Sequence, residues 1–407
     1  MLFKNIIITK VKDKFIKKFY TYYMFDFDKI ISRKGTNSLK WDEKPDSLPL
    51  WVADMDFETA PCVKQAILNR ADHGIYGYSV IGNEWADAYY NWWKRRHRFE
   101  IKKNDLIFCT GVVPAISSLV RKLTTPAEKV LIQTPVYNIF FNSIINNGRY
   151  VVESPLLYDE KTRSYSIDFT QLEKDLSDPQ VSLMILCNPH NPTGNIWTKD
   201  ELCRVGNLCK KYNVTVLSDE IHCDILRPGF YYTPFASASE ICREISVTCL
   251  APSKAFNIAG INTAAVYTEN PGLHHKVWRS LNTDEIAEPN VFAIQATVAA
   301  FTDGEEWLCE LNEYLAKNRD FAEEFIDKNL KNLKYVPSNS TYLLWADVSK
   351  TGLSGDDFAQ KLLEKTELFI SGGRQYGKAG ENFVRINLAC PRSVLKEALG
   401  KIEAYFL

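Results

Sequence analysis

Val181–Gly194 reads VSLMILCNPHNPTG. The run from Ser182 to Cys187 is apolar without alternation. It predicts a strand buried on both faces, as in a parallel sheet covered by helices. Two Asn-Pro pairs and a Thr-Gly follow at once. Proline restricts both its own φ and the residue before it, so this turn is extended and rigid. Asn191 is therefore expected at a fixed place with its amide facing a crevice. A loop that merely turned would need fewer constrained positions.

The same grammar repeats outward along the chain. DLIFCTG (105–111) predicts a strand, and VPAISSLVRKLT (113–124) a helix with Pro114 in its first turn. KVLIQTP (129–135) predicts a strand and VYNIFFNSIINNG (136–148) a helix. KDELCRVGNLCKKYN (199–213) predicts a helix capped by Thr198. VTVLSDE (214–220) and ISVTCLAP (245–252) predict further strands. Strands alternating with helices imply an α/β fold with a mostly parallel sheet. The pattern then changes. A long helical repeat (305–329) precedes TYLLWADV (341–348), an amphipathic helix from about Gly355, and NFVRINLA (382–389). That tail predicts a smaller α/β domain over 311–407. Residues 24–74 lack the alternation and are expected to join it, leaving 75–310 as the large domain.

Composition narrows the function classes. Of 407 residues, 45% are hydrophobic and 24% charged, which is ordinary for a globular chain. A formal net charge of −1 supplies no field for nucleic acid or a membrane surface. Ten cysteines without a CxxC pair read as reduced thiols, so a cytoplasmic protein is expected. Residues 1–23 carry six lysines against one acid and are expected to be a disordered or non-native leader, with Met24 as the natural start.

In open parallel sheets, ligands bind beyond the carboxyl ends of strands. Four such ends carry unusual chemistry here: CTGVV (109–113), CNPHNPTG (187–194), SDEIH (218–222) and LAPSK (250–254). Gly111, Val112 and Val113 open a helix, whose free N–H groups can cradle a phosphate or simply make a βα turn. Tyr137 can stack on a flat ring or serve the core. Asp219 ends an apolar strand, where a carboxylate needs a cation or donors. His222 follows, but no second histidine stands at metal-ligand spacing, so no metal is expected. Lys254 lies in CLAPSKAFNIAG (249–260), among small and apolar residues, where an ammonium is costly unless paired or covalently used. A cofactor with a phosphate, a ring, a ring nitrogen and an aldehyde would use all of these groups, which is the chemistry of pyridoxal 5′-phosphate.

The order and spacing of NPHNPTG, Asp219 and Lys254 resemble the fold-type I pyridoxal-phosphate enzymes of the class I/II aminotransferase group. LPLWVADMDF (48–57), GIYGYS (74–79), TGVVPAI (110–116), APSKAFNIAG (251–260) and FVRINLACPRS (383–393) more narrowly resemble the MalY/PatB cystathionine β-lyase branch. The resemblance implies a type I transferase fold with a seven-stranded sheet in its large domain. It places Gly111, Val112 and Ser253 at the phosphate, Tyr137 on the ring and Asn191 at the ring hydroxyl. Asp219 would pair with the ring nitrogen, with His222 near the hydroxyl. Lys254 would hold the aldehyde covalently and take the substrate proton. Arg385 would clamp the substrate carboxylate, with Ala53 beside it. Tyr78, or in competition Tyr76, would cross from the neighbouring subunit of a homodimer. Two positions depart from the wider group: Ala251 and Asn262 stand where many aminotransferases have a serine and a phosphate-binding arginine. The implied reaction is β-elimination from L-cystathionine or a related cysteine conjugate, giving a thiol, pyruvate and ammonia. An aminotransferase would use the same lysine, aspartate and arginine. A DNA-binding regulator built on this fold would need a further domain, which the short leader is too small to supply.

Overall fold

The structure, a computed structural model, describes residues 24–406. The leader expected over 1–23 lies outside them. Seven strands form the large sheet: β1 (Leu106–Cys109), β2 (Lys129–Ile132), β3 (Tyr150–Glu153), β4 (Val181–Cys187), β5 (Thr215–Asp219), β6 (Ser246–Leu250) and β7 (Ala264–Tyr267). Their spatial order is β1-β7-β6-β5-β4-β2-β3. The pairs from β6 across to β3 are parallel, while β7 runs against both β6 and β1. The sheet is thus mostly parallel, as expected.

Both faces of the central strands are covered. In β4, Leu183, Ile185 and Cys187 join one core, and Met184 and Leu186 join another on the opposite face. The helices include α1 (Asn83–His97), α2 (Val112–Leu123), α3 (Lys199–Lys211) and α4 (Glu305–Asn329). α2 supplies Ala115, Ile116, Leu119 and Val120 to the first core, and α3 supplies Leu202, Val205 and Cys209 to the second. Thr198 caps α3 as expected: its hydroxyl accepts from the Glu201 N–H, and the Glu201 carboxylate accepts from the Thr198 N–H.

A second, antiparallel sheet follows, with β8 (Lys334–Tyr335), β9 (Leu343–Asp347), β10 (Ser371–Gly372) and β11 (Phe383–Asn387) in the order β8-β9-β11-β10. The N-terminal stretch touches both parts. Leu48 and Pro49 pair in parallel with Leu368 and Phe369, and Leu50 enters the core beneath the second sheet. The helix Pro61–Asp72 packs instead on the helix Ala293–Asp303.

The loop leaving β5 is held by charge. Asp224 is buried, and its carboxylate accepts from Trp92 Nε1 (3.0 and 3.2 Å), Arg96 Nε (3.3 Å) and His97 Nε2 (3.0 Å), all on α1. Its carbonyl accepts from Asn312 Nδ2 on α4 at 2.8 Å. His97, Cys223 and Asp224 bring potential metal-ligand atoms within 4.8 Å of one another. The carboxylate is already engaged by these donors, and the guanidinium of Arg96 opposes a cation there, so the group is an ion-pair network.

Candidate active site

The turn after β4 is built so that Asn191 has one place to be. His190 is buried, and burial lowers its pKa to about 4, so the ring is neutral. Its Nε2 lies 3.3 Å from the Gln133 carbonyl and its Nδ1 2.9 Å from Thr193 Oγ1. The ring therefore pins the turn rather than taking part in chemistry. Trp197 Nε1 donates to the Cys187 carbonyl at 3.0 Å, closing the turn's far side. Gly194 adopts φ +71°, and a Cβ there would lie 2.4 Å from Ser338 Oγ, so only glycine fits. Asn191 Oδ1 then accepts from Arg385 Nη1 at 3.1 Å.

Arg385 sits on β11 in the second sheet, so this bond joins the two parts of the chain. Arg385 is buried, donates from Nη2 to the Trp51 carbonyl at 2.9 Å, and leaves Nε buried with no protein partner. Its guanidinium lies over the Tyr376 ring, 5.0 Å from the centroid.

The ends of β5 and β6 bring an acid and an amine to one cavity. Burial raises the Asp219 carboxyl to about 6, against the Ile221 N–H that bonds Oδ1 at 3.1 Å and the nearby charge of Lys254. Burial lowers the pKa of Lys254; Asp54 opposes that shift, Arg385 adds to it, and Asp219 opposes it. Lys254 Nζ donates to the Ala53 carbonyl at 2.6 Å. His222 is buried, with Nδ1 unpartnered, and burial together with Lys254 and Arg385 pushes its pKa down to about 3. It is neutral at ordinary pH.

These groups line a cavity of about 200 Å³. Gly111, Val112 and Val113 form one wall at the start of α2; Tyr137 forms another. Asn191, Asp219, His222, Ser253, Lys254 and Ala53 complete the set that the sequence put forward. Arg385 reaches it through Asn191. Tyr76 and Tyr78 are not brought in within one chain. Tyr78 is fully exposed, and both border a separate recess with Gly260–Asn262 and Asn290–Phe292. Asn262 lines both spaces. Cys187, Thr263 and Asn262 also line the cavity, and no motif had singled them out as ligands.

The set fits pyridoxal phosphate. The N–H groups that open α2 suit a phosphate, the Tyr137 ring a flat heterocycle, and the Asp219 carboxylate a protonated ring nitrogen. The amine suits an aldehyde, and the unpartnered His222 Nδ1 is a buried polar atom in want of a partner.

The family described as aminotransferase class I and II matches residues 45–402. The chain belongs to that family. It is 41% identical over 385 residues to cystathionine beta-lyase PatB of Bacillus subtilis, covering 93% of this chain and 99% of that protein. It is 33% identical over 390 residues to protein MalY of Escherichia coli, covering 94% of this chain and 99% of that one. The PLP-bound C-S lyase from Staphylococcus hominis superposes with a TM-score of 0.87 at 34% sequence identity, covering 94% of this chain and 98% of that one. PatB and MalY are the two names carried by the branch that the sequence resembles.

Proposed function

We propose that the protein is a pyridoxal-phosphate-dependent carbon–sulfur β-lyase that releases a thiol, pyruvate and ammonia from L-cystathionine or a related cysteine S-conjugate. The carrying observation is the Lys254 amine, held 2.6 Å from the Ala53 carbonyl in one cavity with Asp219 and Asn191, in a chain so similar to a named cystathionine β-lyase. Bound there, the cofactor supplies an electron sink for the carbanion formed at Cα. Arg385, held by the Asn191 amide oxygen, would grip the substrate carboxylate and so fix the direction of the Cα–H bond. Lys254, its pKa lowered by burial, takes that proton on Nζ. Asp219 would keep a proton on the ring nitrogen, and the neutral His222 would stand near the ring hydroxyl.

A homodimer accompanies this reading. The fully exposed Tyr78, next to a recess that shares Asn262 with the cavity, supports a site completed by a second copy. A cytoplasmic setting is in keeping with the free cysteines, and among the described residues no helix is long and apolar enough to cross a membrane. The same reading divides the chain into a large domain over 75–310 and a small one from 24–74 and 311–407.

Incubation with L-cystathionine and pyridoxal phosphate tests the activity. Equal amounts of pyruvate and free thiol are expected. A new amino acid on adding a 2-oxo acid, without pyruvate, would make the protein an aminotransferase. Arg385→Lys is expected to raise the KM for the amino acid by about ten- to a hundredfold, the worth of about 1.5–3 kcal/mol for a hydrogen bond to a charged group. Steady-state kinetics would show it, and an unchanged KM would remove Arg385 from substrate binding.

A further inference from the structure

Residues 51–57 run through the middle of the molecule without regular secondary structure. Their carbonyls still need donors, and side chains from distant parts of the chain supply them. Arg385 and Ser371 donate to the Trp51 carbonyl, both at 2.9 Å. Asn387 Nδ2 donates to Val52 at 2.8 Å and Asp54 at 2.6 Å. Asn257 closes the other end: Nδ2 donates to Met55 (3.0 Å) and Phe57 (2.8 Å), and Oδ1 accepts from the Met55 N–H at 3.1 Å. Asn257 lies on the Lys254 loop at φ +54°. Both strand β11 and the lysine loop are therefore fastened to the same segment.

At its centre, the Ala53 carbonyl accepts twice. Lys254 Nζ donates at 2.6 Å and the Tyr342 hydroxyl at 2.9 Å. Tyr342 is 1% exposed, just ahead of β9, with its ring edge-on to His222 at 6.1 Å. A carbonyl oxygen has two lone pairs, and both are engaged.

We infer that Tyr342 is a positioning residue for Lys254, acting through the Ala53 carbonyl that the two side chains share. The hydroxyl fixes the oxygen against which the amine is held. With one N–H committed there, rotation about Cε–Nζ is restricted, and the nitrogen lone pair has a preferred direction. Such alignment matters both for attack on an aldehyde and for taking a proton. This inference rests on the pyridoxal-phosphate reading above.

The test compares the parent with Tyr342→Phe, which keeps the ring and removes one oxygen. Both proteins are stripped of cofactor and mixed with pyridoxal phosphate, and the visible band of the lysine-bound cofactor is followed in time. Then kcat and KM are measured on L-cystathionine. In the variant, the rate of band growth and kcat should both fall about tenfold, with KM within about two-fold of the parent. Both rates within about two-fold of the parent would overturn the inference. So would a fall in kcat alone, which places the hydroxyl on the substrate, or a rise in KM alone. If Tyr342→Phe does not fold, Tyr342→Leu, which also lacks the hydroxyl that bonds Ala53, is read by the same criteria. Failure of the parent itself to form the band would sink the cofactor reading instead.

Discussion

Lys254→Ala is expected to fold, bind pyridoxal phosphate without a covalent link, and release pyruvate about four orders of magnitude more slowly than the parent. The substitution removes one amine that serves twice, as the anchor of the aldehyde and as the acceptor of the Cα proton. Asp219, Asn191, Tyr137 and the start of α2 keep their places, so most noncovalent contacts to the cofactor survive. The melting temperature should not drop. The change deletes a buried amine, and the Ala53 carbonyl keeps its bond from Tyr342. The measurements are a visible spectrum, a thermal melt and pyruvate release. Loss of the lysine-bound band together with lost turnover fits the assignment. Pyruvate release at the parent's rate would show that another group takes the proton.

The second large effect is on stability. Asp224→Asn is nearly isosteric, yet it is expected to destabilise the fold by about 3 kcal/mol, the low end for breaking a buried ion pair. The low end applies because Arg96 keeps a second partner: Nη1 lies 3.2 Å from Glu305. His97 and Trp92 lose their carboxylate acceptor. In the folded protein, burial pushes the Asp224 carboxyl up, but His97, Arg96 and Trp92 outweigh it and hold the pKa below the ordinary value. A depressed carboxylate contributes stability that is fully present above its unfolded pKa, about 3.9, and is lost as pH falls through the folded one. The gap between parent and variant in urea unfolding should therefore be full at pH 7 and shrink below about pH 4. A variant as stable as the parent at neutral pH would mean that the network contributes nothing net.

Asn191, Asp219 and Lys254 were legible in the sequence because each sits at or just beyond the end of an apolar strand, where a polar residue stands out. Glycine and proline marked the turns that hold them. Strands β3 and β7 went unread. Tyr150–Glu153 is an edge strand with exposed positions, and Ala264–Tyr267 is four residues long and starts with two alanines. Neither presents a run distinguishable from loop. Tyr342, Asn257 and Asn387 were hidden for a different reason. Their partners are carbonyls of residues 52–57, which lie 200 or more positions away in the chain, and a backbone acceptor leaves no mark on residue type. Asp224 was silent likewise, since Trp92, Arg96 and His97 announce an acceptor only once α1 is laid against it. Tyr76 and Tyr78 were named through likeness, and a single chain holds them apart from the cavity.

The reversed direction of β7 bears on how the lysine is carried. A parallel neighbour would be reached by a long crossover back to the opposite end of the strands. β7 begins where β6 ends, so residues 251–263 leave the sheet and return to the same end of it. Lys254 rides near one foot of this closed arch, and Asn262 and Thr263, at the other, face the same cavity. Both feet are tied to neighbouring strands, so a change in the arch's length shifts the amine and the opposite wall together. Surface loops usually absorb insertions at little cost. This one has its tolerance set by the chemistry it spans.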